Sequence, residues 1–413
     1  MKPRSWGAVL VVAGLTVGLA SACGSSSGNS NAPAAGASTS ASAKLSGAPV
    51  QISIVYPVTG SITFPEMTPA IAAATKAIDD SGGINGRPLK VDVCDTTSPT
   101  DPNPTVTCLR GVAANQSIVA DVGDYSSFAD VATPLENSAH LVQIGGVPLG
   151  VSQDELPNSY PLVFPEEEAF GAVLVKMGST HPGLIYIDIP TALKATSEIN
   201  AYMKAGGSSV QLIASQPAPL TATDLTPQNA ALCKADAVAM SVAPTQIAQY
   251  LTAHQQGPCP TQKVLTAMLG IASTLSSLGS LANGLYVDSG LPFVTDTSVP
   301  GVKMFRSQMA AVDPNAAKQE DEVSEMTWLS IWTFAQEARQ IKGAITRDTV
   351  WDHMEKAGAF QFYGMLPPGF SFQDGITAVP NTKRIVNHYI RYGVVENGVI
   401  HPDGGWVNVL DLG

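Results

Sequence analysis

Apolar residues recur at Met67, Ala70, Ile71, Ala74 and Ile78, then switch to strict alternation at Leu89, Val91 and Val93 against Lys90, Asp92 and Cys94. Spacings of three and four predict one buried helix face, and a period of two predicts a strand. Between them, Gly82 and Gly83 supply the positive φ that ends a helix, and Asn85-Gly86 is a tight-turn dipeptide. With the apolar run Gln51 to Val55 in front, the unit reads strand, helix, strand.

The same alternation continues along the chain. Strands are predicted at Ile118 to Val122, Leu141 to Ile144, Leu184 to Ile187, Val210 to Ile213 and Ala237 to Met240. Helices are predicted from about Phe128, from Ser197 to Lys204 before Gly206-Gly207, and from Ile247 to His254. Alternating strands and helices imply a mostly parallel sheet. Val323, Met326, Ile331, Phe334, Ala338 and Ile341 mark one face of a long helix, and Trp328 and Trp332 on a neighbouring stripe read as core. Arg384-Ile385-Val386 reads as a late strand.

The N-terminus belongs to a different class of sequence. Lys2 and Arg4 precede an apolar run from Trp6 to Ala20, short for a membrane span and suited to an export signal over residues 1–22. Small residues then lead into Cys23, an arrangement resembling a lipobox, so Cys23 is expected to carry lipid and become the mature N-terminus. Residues 23–49 are almost entirely Ser, Gly, Ala, Asn, Thr and Pro, and should form a flexible tether. Removing the signal takes the formal charge from −12 to −14. No basic run is present, which argues against nucleic-acid binding and against adhesion to an anionic membrane.

Four cysteines remain beside Cys23. An even count in an exported chain reads as disulfides. Three pairings are open, and Cys94 with Cys108 and Cys233 with Cys259 would each close a short loop, worth about 3 kcal/mol apiece. No clustered His or CxxC pair points to a metal, and no cofactor motif appears. Enzyme signatures such as GxSxG, a P-loop or HExxH are missing too. The run Glu166-Glu167-Glu168 reads as the solvated, dipole-favoured start of a helix.

The stretch Ala77-Ile78-Asp79-Asp80-Ser81-Gly82-Gly83-Ile84-Asn85-Gly86-Arg87-Pro88-Leu89-Lys90-Val91-Asp92-Val93-Cys94-Asp95 closely resembles the first βαβ unit of the branched-chain amino-acid binding protein family, the type I periplasmic solute-binding proteins of ABC importers. Val119 to Ser127 and the segment from Glu337 to Gly358 are similar to later parts of that family. The resemblance implies an α/β fold of two doubly wound parallel-sheet lobes joined by three crossing segments. Lobe 1 would comprise 50–165 and 291–370, and lobe 2 would comprise 166–290 and 371–413.

In such a fold a ligand sits at the carboxyl ends of strands. The resemblance places Tyr125, Ser126 and Ser127 at its carboxylate, with Gly146 and Val147 in the next loop and Thr63 and Phe64 as a roof. Lobe 2 would contribute Asp188, Thr191, Pro244 and Leu269. The family's amino-acid binders carry an acid in a later lobe-two loop, and Val264 to Ile271 has none. A small solute without an ammonium group, such as an apolar or aromatic carboxylate, is therefore expected. The implied protein is a monomeric, non-enzymatic lipoprotein on the outer face of the cell membrane, partnered by an ABC permease. A lipid-anchored sensory or structural protein is the alternative.

Overall fold

The structure, a computed structural model, describes residues 45–413 apart from 61–62, 98–100, 258, 260–261, 268–270 and 319. The signal, Cys23 and most of the tether lie outside the described residues, as does Leu269.

The first half of the chain builds one sheet. Strands β1 (Val50–Tyr56), β2 (Leu89–Asp95), β3 (Ile118–Val122), β4 (Val142–Ile144) and β5 (Ser159–Tyr160) alternate with helices α1 (Met67–Asp80), α2 (Asn103–Ala114), α3 (Ala129–Ser138) and α4 (Val151–Glu155). Their order is β2-β1-β3-β4-β5, and every pairing is parallel. Between α1 and β2 the chain turns on Gly83, whose φ is +65°, and a Cβ there would meet the Arg87 carbonyl oxygen at 2.2 Å. The Gly83 carbonyl also accepts a hydrogen bond from Arg339 Nε at 2.9 Å, so the turn is fixed from a distant helix.

After β5 the chain enters a second sheet. This contains α5 (Glu166–Lys176), β6 (Pro182–Ile187), α6 (Pro190–Ala205), β7 (Ala214–Ala218), α7 (Thr226–Ala231), β8 (Ala237–Ser241), α8 (Pro244–Gln256), β9 (Lys263–Ala267), α9 (Ile271–Leu278) and β10 (Tyr286–Ser289). Helices α10 (Pro300–Val312), α11 (Glu322–Gln340) and α12 (Arg347–Met354) follow and pack in the first lobe. Strands β11 (Tyr389–Glu396), β12 (Val399–Pro402) and β13 (Val407–Asn408) complete the second sheet, in the order β12-β11-β10-β9-β8-β6-β7 with β13 beside β11. The passage back between lobes falls between Phe372, in the first core, and Ile376, in the second.

Two segments differ from the sequence reading. Val210 to Ile213 is irregular, with only the Ile213 N–H reaching the Pro182 carbonyl at 2.8 Å, and the strand starts at Ala214, which pairs with Gly183. Val210 and Leu212 pack side chains on the core without joining the ladder. Likewise Arg384 to Val386 forms no strand: Ile385 is tied into a turn by its N–H bond to the Thr382 carbonyl, and pairing begins at Tyr389. The second sheet is also mixed, because β11, β12 and β13 run antiparallel to their neighbours. The β11–β12 hairpin turns on Asn397-Gly398, both with positive φ, as a two-residue primed turn requires.

Helix α11 is buried nearly all round, not on one face. Its hydroxyl residues Thr327, Ser330 and Thr333 satisfy themselves by bonding to the carbonyl four residues back, at 2.8, 2.7 and 2.8 Å. Trp328 and Trp332 are core residues, and both indole N–H groups donate to Gln308 Oε1, at 2.7 and 3.1 Å. Disulfides join Cys94 to Cys108, with Cα atoms 5.8 Å apart, and Cys233 to Cys259, 5.3 Å apart.

Candidate functional site

The lobes meet where β5 passes into α5. Val147, Pro148 and Leu149, from the loop after β4, line a narrow gap together with Pro165, Glu166, Glu167 and Glu168. Its volume is about 10 Å³, room for little more than one water.

The lobe-one wall is built from two adjacent loops. Just past β3, Tyr125 N–H donates to the Val55 carbonyl at 2.9 Å, and Val147 N–H donates to the Asp124 carbonyl at 3.0 Å. Gly146, at φ +77°, allows this approach, since a Cβ would lie 2.4 Å from that same Asp124 oxygen. The Phe64 and Tyr125 rings stack at a tilt, with centroids 4.2 Å apart. Ser126 is buried, and its Oγ accepts from Phe128 N–H at 3.2 Å, so it closes the turn ahead of α3. Ser127 is half-buried beside it, and Thr63 is exposed.

The lobe-two side of the gap comes from α5. Asp188 and Pro244 are exposed and do not line the gap; the Thr191 side chain, like Leu269, falls outside the described residues. The acidic run at the start of α5 takes their place. Glu166 is 2 % and Glu168 5 % exposed, so the run is buried between lobes, not solvated. The sequence shows the run plainly, but not that Pro165 aims it at the partner lobe.

Charge dominates this interface. Glu167 accepts a hydrogen bond from Ser241 Oγ, at the end of β8, at 2.8 Å. Burial, with Glu168 adding repulsion, pushes the Glu167 carboxyl up to about 7. Glu166 is driven well above the carboxylate range by burial and by Glu322 and Asp288. Glu322, at the start of α11, accepts from Gly290 and Leu291 N–H at 2.6 and 3.2 Å, pinning the second passage between lobes. Burial raises it to about 7 although those bonds pull it back. Tyr125 is pushed up by burial and then by Glu167, Glu166 and Glu66.

One cation answers part of this charge. Lys194 Nζ on α6 lies 2.6 Å from Glu168, 2.9 Å from Asp154 and 3.5 Å from Glu198. Asp154 belongs to α4 of the first lobe, so the ammonium clasps both lobes. Burial alone would lower the Lys194 pKa, but the three carboxylates outweigh it and raise it.

Residues 49–382 match the family described as periplasmic binding protein. The chain belongs to that family. This periplasmic binding protein has the type I fold, shared with a substrate-binding periplasmic protein from Ralstonia solanacearum at 18% identity and a TM-score of 0.71, over 86% of this chain and 100% of that one. An extracellular ligand-binding receptor from Verminephrobacter eiseniae matches at 16% identity and a TM-score of 0.68, covering 86% and 99%. A branched-chain amino acid transporter substrate binding protein from Streptococcus pneumoniae, in complex with isoleucine, matches at 14% and 0.66, covering 87% and 99%. No curated protein sequence matches the chain. Family membership makes it a solute-binding protein, and no helix among the described residues is long and apolar enough to cross a membrane.

Proposed function

We propose that this periplasmic binding protein captures a small organic solute between its lobes, outside the cytoplasm, and presents it to an ABC importer while lipid on Cys23 holds it at the membrane. The observation carrying the reading is the gap between Val147–Leu149 and Glu166–Glu168, at the junction where two rigid sheets meet through short passages. A gap of about 10 Å³ cannot hold an amino acid, so entry needs the lobes to part about the passages near Pro165 and Pro292 and to close again on the ligand.

The acidic wall bears on ligand chemistry. The expectation of a carboxylate without an ammonium rested on the lack of an acid in the loop after β9. Glu166 and Glu167 bring acids from another element, and the groups acting on buried Glu166 are carboxylates and a backbone amide, with no cation among them. A buried carboxylate is best matched by a donor or a cation. The favoured ligand therefore carries an ammonium beside its apolar part, set against Phe64 and Tyr125.

Calorimetry on the full chain tests this with three probes: isoleucine, its amine without the carboxylate, and its carboxylate without the amine. Both ammonium-bearing probes should bind. Glu167→Gln should weaken them about tenfold or more, the worth of one charge-assisted hydrogen bond. Binding confined to the amine-free carboxylate would overturn the ligand assignment. Identical scattering profiles of the free protein and of protein saturated with a bound probe would overturn hinge closure.

A further inference from the structure

A second group of carboxylates lies inside lobe 1, behind the loops that line the gap. Asp121 is the fourth residue of β3, and its register partners are Ser53 on β1 and Gln143 on β4, so three polar side chains stand in a row across the sheet. Ser53 Oγ donates to Asp121 Oδ1 at 2.8 Å. Asp124, just past the strand, accepts from Val55 N–H at 3.1 Å and from Gln143 Nε2 at 2.7 Å. Glu136 reaches the group from α3. One oxygen from each of Asp121, Asp124 and Glu136 lies within 4.8 Å of the other two.

All three are sealed off, at 0, 0 and 2 % exposure. Both Glu136 oxygens and Asp121 Oδ2 have no hydrogen-bond donor. The groups acting on Asp124 and Glu136 are the neighbouring carboxylates, Gln143 and a backbone amide, with no lysine or arginine among them. Burying one unpaired carboxylate is already expensive, and three so close together repel one another as well.

We infer that Asp121, Asp124 and Glu136 bind one divalent cation, with calcium preferred. Every donor is a hard oxygen, which excludes the softer metals as natural occupants. Calcium holds its oxygens at about 2.3–2.6 Å, so atoms sharing one ion lie at most about 5 Å apart, and the three oxygens, within 4.8 Å of one another, fall inside that limit. Magnesium demands near-ideal octahedral geometry, whereas calcium accepts the irregular set of mono- and bidentate carboxylates that a strand, a loop and a helix supply. The ion would be structural. Asp124 stands next to Tyr125, and its carbonyl fixes Val147, so the cation locks together the two loops that form the lobe-one wall.

The test uses the full chain, purified without chelator. Elemental analysis should find about one equivalent of calcium. Dialysis against EDTA should lower Tm by several degrees, and millimolar calcium chloride should restore it more fully than magnesium chloride. Glu136→Gln should abolish the calcium-dependent rise, yet in chelated protein it should be at least as stable as the unaltered chain, having lost one buried charge. A Tm indifferent to both EDTA and calcium would overturn the inference, and so would a calcium response that survives Glu136→Gln. If that variant does not fold, the metal content and chelator response of the unaltered protein decide the matter. The readouts do not involve the transported solute, so they stand or fall apart from the ligand assignment.

Discussion

Two groups of three carboxylates in this molecule are completed differently. Glu168, Asp154 and Glu198 converge on Lys194, with contacts of 2.6, 2.9 and 3.5 Å. Asp121, Asp124 and Glu136 converge on no side-chain cation among the described residues. The first group carries its countercharge in its own chain, and that charge spans the lobes. The second can be completed only by protons or by an ion. Net charge cannot tell these cases apart; only the placement of one lysine does.

The largest effect should follow from removing that lysine. Lys194→Met leaves Asp154 and Glu168 buried and Glu198 half-buried without a partner, and breaking a buried pair in this way costs about 3–5 kcal/mol. Urea unfolding at neutral pH measures it. A loss below about 1 kcal/mol would mean that Lys194 is not the countercharge, and the contrast between the groups would collapse.

A middle-sized effect concerns pH. Burial raises Glu66 to about 8, Glu167 and Glu322 to about 7 and Asp321 to about 6. These acids titrate near 4 when unfolded, so the folded chain binds more protons in between. Their contribution is fully present below about pH 4 and is lost as pH rises through about 6 to 8. Tm should therefore be highest near pH 5 and several degrees lower at pH 8. Lys194→Met should steepen that fall, because burial already raises Asp154, to about 8, and Glu198, and the ammonium is the group that offsets part of that rise. A profile that rises with pH would show these acids to be solvated.

The smallest effect lies at the rim of the lysine group. Glu198 is 18 % exposed and 3.5 Å from the ammonium, so Glu198→Gln should cost about 1 kcal/mol or less. Glu168→Gln, at 2.6 Å and 6 % exposed, should cost more in the same unfolding assay. Equal losses would mean that distance and burial do not rank these partners.

Much of the fold was legible because βα alternation leaves a local record. The helix face from Met67 to Ile78 and the strands at Leu89, Ile118, Leu184 and Ala237 are set by spacing that any short window contains. Where packing without pairing was involved, the record misled. Val210 to Ile213 and Arg384 to Val386 have strand-like apolar content, but a strand also needs a partner edge at the right height. The hairpin at Asn397-Gly398 was overlooked although the dipeptide is a direct signal. Of the residues expected at the ligand, Val147 lines the gap, and Asp188 and Pro244 are exposed and do not line it, whereas α5 supplies Glu166 to Glu168.

By itself the sequence determined the family, through its βαβ wording, and the positions of most strands and helices, through periodicity and glycine placement. It also carried the apolar run from Trp6 to Ala20 and the cysteine at 23. The tertiary structure decided which charged residues are buried. Glu166 to Glu168 reads as an ordinary solvated helix start until Pro165 turns it toward the other lobe. Asp121, Asp124 and Glu136 are scattered over 16 positions until register and helix packing bring their oxygens within 4.8 Å. Desolvation depends on what covers a group, and what covers it comes from residues far along the chain.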